Sequence, residues 1–213
     1  LELFPNGLRV TGPPESVGLQ KQIELELRNG AALVTHRLWN RGQWPIEVSI
    51  WGLTMMAEGG LAIAGFPPRG PHPEILHPTN PLIMWAFTDL TDERLKFTKK
   101  YLTLKQLPGA PLPNKIGLWS ENSWAAYLNR GEIFLKRYRA FPGRKYPDHG
   151  ASLELWSNAD TLEIETLSPL EVIPPSAHIT HVEEWSLHRA GPLPEISDEA
   201  IDALTARLPI QTP

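Results

Sequence analysis

The sequence predicts an all-β fold of antiparallel strands that ends in a single α-helix. Over most of the chain apolar and polar residues alternate with a period of two, which is typical of strands with one buried face. The 213 residues include 22 prolines and 16 glycines, a composition that suits many short strands joined by turns. β sandwiches and barrels of this length often form one domain. We therefore expect a β-sandwich domain over residues 1–190, followed by a linker and a helix over residues 191–213.

The first strands are predicted to form a meander. Residues 22–28 alternate apolar and charged side chains, and Asn29-Gly30 is a strong signal for a type I′ hairpin turn. Residues 31–39 supply the returning strand. After a second turn, residues 46–56 are predicted to complete a set of three consecutive antiparallel strands.

The middle of the chain is predicted to hold a long loop and the remaining strands. Residues 58–80 are rich in glycine and proline, which are poorly suited to the interior of a sheet, so we expect a surface loop there. Residues 88–100 are expected to form a turn or a short helix. The alternating pattern places further strands at residues 82–87, 101–104, 116–119, 124–128, 132–138, 151–157, 161–167 and 178–188.

The helix is predicted from its capping residue and its apolar stripe. Ser197 is a good N-cap, and two acidic residues follow it in the first turn, where the helix dipole favours negative charge. Ile201, Leu204 and Leu208 then recur at helical spacing on one face. Because a proline-containing linker precedes it, we expect this helix to pack on the β domain as an appendage.

The composition excludes several classes of function. A formal net charge of −4 argues against a nucleic-acid partner, because phosphate binding relies on clustered Lys and Arg. No apolar run approaches the roughly 20 residues of a membrane span, and the sequence has no glycine-rich phosphate loop. Cysteine is absent, which removes disulfides and thiol chemistry and leaves the compartment undetermined. We predict no nucleic-acid partner, no membrane span and no cofactor, whereas localisation and oligomeric state are not predicted.

Three residues that can carry chemistry lie on apolar strand faces. His181 and Glu183 share a face with Ile179 in the last strand, so both should point toward the protein. They form either a satisfied polar pair under the sheet, which is the commoner outcome, or one side of a ligand site. His36 lies on the more apolar face of its strand, where a lone histidine is more often a core residue than a catalyst.

Two other strands carry charged residues whose direction is informative. Glu163 and Glu165 share a face that is either solvated or lines the concave side of a curved sheet. Two neighbouring carboxylates raise the pKa of at least one of them, which suits a general base near neutral pH. Lys136 lies between two aromatic residues on its strand face. Its stem either packs on their rings with the amine in solvent, or its amine contacts a ligand.

Tryptophans and histidines supply weaker signals. Trp119 and Trp124 flank a polar turn, and indole faces beside carboxylates are surfaces that sugar rings prefer, although most tryptophans of a sandwich fill its core. His178 and His181 lie three residues apart, which puts them on opposite faces of a strand. We therefore predict no metal site.

Three stretches of the chain carry a family resemblance. They are THRLWNRGQWPIEVSIWGLTMM at 35–56, WAFTDLTDERLKF at 85–97 and YPDHGASLELWSNADTLEIETLSPLEVIPPSAHITHVEEWSL at 146–187. With these stretches the chain resembles the galactose-mutarotase-like superfamily and, within it, the bacterial DUF4380 branch. The resemblance implies a large antiparallel β-supersandwich with a concave cleft of carbohydrate size. It also implies that N-terminal strands of the fold are missing from the sequence, which opens at Leu1 without a charged leader.

The resemblance also implies a set of site residues. Mutarotases open and close a sugar ring with a carboxylate base and an imidazole acid that face each other across the cleft. By resemblance the base is Glu165, and Lys136, Asp148 and Trp51 are cleft residues that bind a small carbohydrate.

The acid of the family has no counterpart at the matching place. Mutarotases carry a histidine on the strand after the Asn-x-Gly turn, where residues 50–53 read Ile-Trp-Gly-Leu. Trp51 at this place favours stacking on a sugar ring over proton donation. His36 or His181 would serve as the acid only if the sheet brings either of them across from Glu165.

We therefore expect a carbohydrate-binding or carbohydrate-modifying protein, with aldose epimerase chemistry based on Glu165 as its catalytic form. A non-catalytic structural or interaction module on the same sandwich is the alternative. Lyase chemistry on an acidic polysaccharide is disfavoured by the negative net charge. All of these expectations depend on Glu165 and Lys136 projecting into one shared hollow.

Overall fold

The computed structural model describes residues 1–210, which are almost entirely antiparallel strands with one α-helix near the end. This confirms the predicted all-β class with its C-terminal helix. The helix α1 spans Asp198–Thr205. The strands of the described chain are β1 (Glu2–Phe4), β2 (Gly7–Thr11), β3 (Leu19–Arg28), β4 (Ala31–Asn40), β5 (Ile46–Val48), β6 (Trp51–Met56), β7 (Leu61–Gly65), β8 (Leu82–Met84), β9 (Leu95–Phe97), β10 (Tyr101–Lys105), β11 (Asn114–Leu118), β12 (Trp124–Asn129), β13 (Glu132–Tyr138), β14 (Leu153–Ser157), β15 (Leu162–Leu167), β16 (Glu171–Ile173) and β17 (His178–Arg189).

Two large sheets pack against each other. The ten-stranded sheet has the order β1-β2-β3-β4-β17-β13-β12-β7-β10-β9, the five-stranded sheet has the order β6-β15-β14-β11-β8, and β5 pairs with β16. The main core lies between the two sheets, where Leu102 and Leu104 of β10 join Leu155 of β14 and Ile164 of β15 in one apolar cluster. Side chains alternate across a strand, so the five-stranded sheet has a second face that points away from this core. We call it the outer face.

The helix covers the other side of the ten-stranded sheet. The Ser197 hydroxyl accepts a hydrogen bond from the backbone N–H of Ala200 at 3.2 Å, as predicted for an N-cap. Ile201 is fully buried in an apolar cluster with Ile133 and Leu135 of β13. Residues 211–213, the end of the predicted linker and helix segment, lie outside the described residues.

The first hairpin is confirmed, but the meander is wrong. Asn29 and Gly30 have φ values of 51° and 80°, as a type I′ turn requires, and β3 pairs with β4 across them. The other neighbour of β4 is β17. Residues 46–56 divide into β5, which pairs with β16, and β6, which enters the five-stranded sheet. The Asn40 side chain explains the departure, because it donates to the carbonyls of Trp44 and Ile173 and so ties the turn to β16.

The predicted loop over residues 58–80 conceals a central strand. β7 lies between β12 and β10 in the ten-stranded sheet, and Ala62, Ile63 and Ala64 are fully buried. A strand that is buried on both faces shows a continuous apolar run in place of alternation, so the period-two signal misses it. The predicted turn or short helix at 88–100 is also wrong in part, because residues 95–97 form β9 and pair with β10.

A polar cluster lies between the sheets. Lys136 is fully buried, and its Nζ donates to Gly52 O at 2.7 Å and to Thr54 Oγ1 at 2.8 Å and lies 3.0 Å from Glu183 Oε1. The amine therefore does not reach solvent. Gly52 is required here, because a Cβ at that position would lie 2.2 Å from Glu183 Oε1.

His181 completes this cluster in a neutral form. The Thr166 hydroxyl donates to Glu183 and lies 2.9 Å from His181 Nε2, which therefore donates to it. Burial lowers the pKa of His181 to about 4. Burial alone would raise the pKa of Glu183, but the Lys136 charge and the nearby imidazoles bring it below its ordinary value. His181 and Glu183 therefore point inward, as their strand phase predicts, and form a satisfied interior network.

Lys136→Met should lower the free energy of unfolding by about 3–5 kcal/mol, because it leaves the Glu183 carboxylate buried without its cation. The double variant Lys136→Met/Glu183→Gln removes both charges and should recover part of this loss. Urea denaturation near neutral pH measures both values. Equal stability of the wild type and the single variant would contradict the account.

His181 should make the fold sensitive to acid. Its pKa is lower in the folded chain than the ordinary 6.5, so the unfolded chain binds more protons between pH 6.5 and about 4. The free energy of unfolding should fall as the pH is lowered through this interval. His181→Gln keeps a side-chain N–H donor but does not titrate, and its urea midpoint should fall less. Parallel pH profiles for the two proteins would rule out this contribution.

Candidate functional site

A hollow of about 310 Å³ opens on the outer face of the five-stranded sheet. Its lining comes from strands of that sheet, from the turn that contains Pro147 and Asp148, and from residues next to the β5–β16 pair. The lining includes Trp51, Trp85, Lys115, Asp148, Glu154 and Leu167.

Strand alternation aims the polar residues into the hollow. Ile116 of β11 and Leu155 of β14 point into the core between the sheets. Their neighbours Lys115 and Glu154 therefore point to the outer face. Glu165 lies directly across from Glu154 in the register of β14 and β15, so all three charged side chains meet on one face.

The ammonium of Lys115 is the centre of the site. Its Nζ lies 2.7 Å from Glu154 Oε2 and 2.7 Å from Glu165 Oε2. The same Nζ lies 4.6 Å from the ring centroid of Trp85 and 5.4 Å from that of Trp51, within the range of cation–π attraction. One cation therefore joins two carboxylates at the floor to two indoles.

The two indoles are held differently. The Trp51 side chain is 56% exposed, and its Nε1 donates to Glu165 Oε2 at 2.7 Å. Trp85 lies against Gly117 of β11, where an added Cβ would meet the indole at 3.1 Å. The absence of a side chain at Gly117 therefore lets the Trp85 ring lie close to the sheet.

Glu165 is enclosed below the hollow. The residue has no exposed surface, and its Oε2 accepts hydrogen bonds from both Trp51 and Lys115. It is absent from the lining, which Glu154 reaches. Glu165, the predicted base, thus points to the outer face of the sheet, and its neighbour Glu154 on β14 is the carboxyl group that lines the hollow.

The environment makes the carboxyl group of Glu154 a weaker acid than that of an ordinary glutamate. Burial raises its pKa to about 8, the Lys115 ammonium opposes this rise, and the Glu165 carboxylate adds to it. Its carboxyl group is therefore mostly protonated at neutral pH. The Oε1 atoms of Glu154 and Glu165 are both buried, and neither has a hydrogen-bond partner within residues 1–210.

Two other predicted residues lie beside the hollow. Asp148 is exposed at the rim, in a short 3-10 turn where its φ is 47°. Glu163 is half-buried on β15, and burial together with the charge of Glu165 raises its pKa. Glu163 does not line the hollow.

Trp119 packs next to the hollow and does not line it. Its ring packs edge-on against Tyr146 with centroids 5.1 Å apart, next to an apolar cluster that includes Leu167 of the hollow. It is therefore a packing residue next to the site in this structure.

The structure does not bring the predicted inner residues to the hollow. Lys136 and His181 lie between the sheets, and the His36 Nε2 lies 3.4 Å from Glu183 Oε2 in the same interior network. The expectation that Glu165 and Lys136 share one hollow is not met, because Glu165 points to the outer face of the five-stranded sheet whereas Lys136 points from the ten-stranded sheet into the space between the sheets. No imidazole lines the hollow within the described chain.

Three lining residues that carry a charge or an indole ring were missed from the sequence. Lys115 precedes the predicted strand 116–119 by one residue, so its face was not assigned. Glu154 lies between Leu153 and Leu155, and its outward direction could have been read from their alternation. Trp85 lay inside the predicted strand 82–87, but β8 ends at Met84, so strand alternation does not set the direction of its side chain.

The described residues contain no group of three or more histidine, aspartate or glutamate side chains placed to hold a metal ion. Over the same part of the chain no helix is long and apolar enough to cross a membrane.

The fold is that of galactose mutarotase-like proteins. No protein-family model and no curated protein sequence matches the chain. Among solved structures, a galactose mutarotase-like protein from Lactobacillus casei matches with a TM-score of 0.59 and 11% identity over 88% of this chain and 72% of its own. A candidate aldose 1-epimerase from Escherichia coli K12 matches with a TM-score of 0.55 and 12% identity over 89% of this chain and 67% of its own. At such identities the similarity shows the fold.

Lys115→Met should lower the free energy of unfolding by roughly 3 kcal/mol, because two buried carboxylates lose their shared cation. The loss should be larger near about pH 9 than near about pH 6, since Glu154 ionises above its raised pKa. Urea denaturation at both pH values measures it. Lys21→Met is the matched control, because the exposed Lys21–Glu15 pair should contribute at most about 0.5 kcal/mol. Equal losses in the two variants would contradict the assignment.

Proposed function

We propose that the hollow binds a neutral monosaccharide and that the protein binds or modifies carbohydrate as a mutarotase-like protein. The observation that carries the proposal is the set of two indoles around a Lys115–Glu154–Glu165 floor. Flat indole faces accept the C–H faces of a sugar ring, and the charged floor offers donors and acceptors to its hydroxyl groups.

The charges of the hollow favour a neutral ligand. With Glu154 protonated, the positive charge of Lys115 balances the negative charge of Glu165. Asp148 at the rim adds a negative charge. A carboxylate or phosphate on the ligand would be repelled by the negative charge of Asp148. Lys115 would not offset this repulsion, because it is already paired with two carboxyl groups. Anionic sugars are therefore disfavoured.

The catalytic form of the proposal is aldose epimerase chemistry with Glu165 as the base. Ring opening removes the proton of the anomeric hydroxyl and protonates the ring oxygen. Glu165 lies one strand from Glu154 at the floor, where its negative charge is held by Trp51 and Lys115. The similarity of fold to mutarotase-like proteins supports this reading.

A binding function without catalysis is the second candidate. It is favoured by the complete burial of Glu165 and by the lack of an imidazole in the described lining. Membership of the DUF4380 branch and a missing N-terminal portion remain predictions from the sequence.

Sugar binding is tested by isothermal titration with D-galactose, D-glucose and D-glucuronate. The neutral sugars should bind and the glucuronate should bind more weakly. Trp51→Ala and Trp85→Ala should each weaken binding about threefold to tenfold, from the loss of a stacking surface. Trp44→Ala, an exposed tryptophan outside the hollow, is the control and should change nothing. Failure of every sugar to bind would refute the proposal.

Catalysis is tested by polarimetry of freshly dissolved α-D-galactose. The protein should accelerate mutarotation above the buffer rate, and Glu165→Gln should lower the catalysed rate about 100-fold or more. Trp51→Phe keeps an aromatic face but removes the N–H that orients Glu165, so it should reduce the rate more than the affinity. Binding without any acceleration would select the non-catalytic function.

A further inference from the structure

The floor of the hollow contains two buried oxygens with no donor. Glu154 and Glu165 are cross-strand neighbours, and the Oε2 of each lies 2.7 Å from the Lys115 Nζ. The Oε1 of each is buried and has no hydrogen-bond partner among the described residues. The side chains of Glu154 and Glu165 are only 2% and 1% exposed, so bulk water does not supply the donors.

A single proton held between the two carboxyl groups would satisfy both oxygens. Buried acceptors without a donor are costly, and two ionised carboxylates beside a single ammonium leave a net negative charge in the protein. A proton on one carboxyl group turns that group into a donor and the other into its acceptor. It also brings the charge of the three side chains to zero. Carboxyl pairs of this kind titrate as a unit and hold one proton over a wide pH range.

We propose that Glu154 and Glu165 share one proton and that Glu154 is the acid that this site uses in place of an imidazole. The inference rests on the proposed sugar site, and it assigns the group that touches the sugar. Of the two carboxyl groups, Glu154 lines the hollow and Glu165 lies behind it.

The proton transfers balance within the pair. Glu154 gives the shared proton to the ring oxygen as the C1–O5 bond breaks and its electron pair goes to O5. As the C1–O1 carbonyl forms, the proton of the anomeric hydroxyl passes to the carboxylate that Glu154 has become, and the neighbouring Glu165 raises its basicity. The pair holds one proton before and after the step. Closure of the ring on the other face of the carbonyl reverses both transfers.

The surroundings of Glu154 keep it protonated near neutral pH. Burial raises its pKa to about 8. The charged groups that act on it are Lys115 from β11 and Glu165 from β15, while Glu163 interacts with those two groups and Asp148 lies at the rim. Glu165 favours the protonated form and Lys115 opposes it, so an acid role is matched to pH 7 and is lost as the pH rises through about 8.

The shared proton is tested without any sugar by 13C NMR of protein labelled at the glutamate carboxyl carbons. One carboxyl resonance, identified by its loss in Glu154→Gln, should titrate with a midpoint near 8. In Glu165→Gln the midpoint of that resonance should move, because its partner carboxylate is gone. A Glu154 midpoint near the ordinary 4.5 would overturn the shared proton.

The acid role is tested by polarimetry of α-D-galactose from about pH 6 to about pH 9.5. The wild-type rate should fall as the pH rises through about 8, and Glu154→Gln should lower the rate about 100-fold or more while galactose affinity changes less than about threefold. Glu132→Gln is the matched control, because Glu132 is an exposed residue at the start of β13 that does not line the hollow, and the rate of this variant should be unchanged.

The outcomes separate the two proposals. If galactose binds and Glu154→Gln keeps the wild-type rate, the acid role is overturned while the sugar site stands. If no sugar binds, the acid role falls together with the sugar site, and the NMR titration still decides whether the two carboxyl groups share a proton.

Discussion

The site depends on one ammonium that two carboxylates share. Two ionised carboxylates opposite each other on neighbouring strands repel, so above the pKa of Glu154 the pair with Glu165 would destabilise the five-stranded sheet without a cation beside it. Lys115 supplies that cation from the third strand and at the same time lies between two indoles. The Lys115 side chain therefore both contacts the two indole walls and sets the charge of the floor.

The five-stranded sheet separates two polar systems with different properties. On its inner side Lys136, Glu183 and His181 form a network that is closed off from solvent inside the protein. On its outer side Lys115 and its carboxylates face a space that a ligand can enter. β15 serves both systems, because Thr166 points inward and Glu165 points outward. Since a slip of one residue would exchange the two faces, the register of this strand is fixed by both networks.

The sequence predicted the elements that alternate and missed those that do not. The Asn29-Gly30 hairpin, the inward phase of His181 and the capped helix follow from local patterns, and the structure contains all three. β7 was missed because both of its faces are buried. The separation of β5 from β6 was missed because it depends on the Asn40 side chain contacting β16, which lies more than 130 residues further along the chain.

The candidate site was predicted only in part for the same reason. Strand phase gave the common face of Glu163 and Glu165, and the family resemblance pointed to Trp51 and Asp148. The partnership of Glu165 with Lys115 and Glu154 arises from pairing across β11, β14 and β15, which no local pattern encodes. Phase also cannot tell which of the two sides of a sheet is open, so Lys136 and Glu165 were both expected in one cavity.

Gly117 is the position through which one aromatic wall of the hollow can change separately from its charged floor. An added Cβ at position 117 would lie 3.1 Å from the Trp85 indole, which is closer than ordinary van der Waals contact, so the ring would have to shift to accommodate it. Variation at this one position would therefore alter the aromatic wall of the hollow without changing any charged residue of its floor.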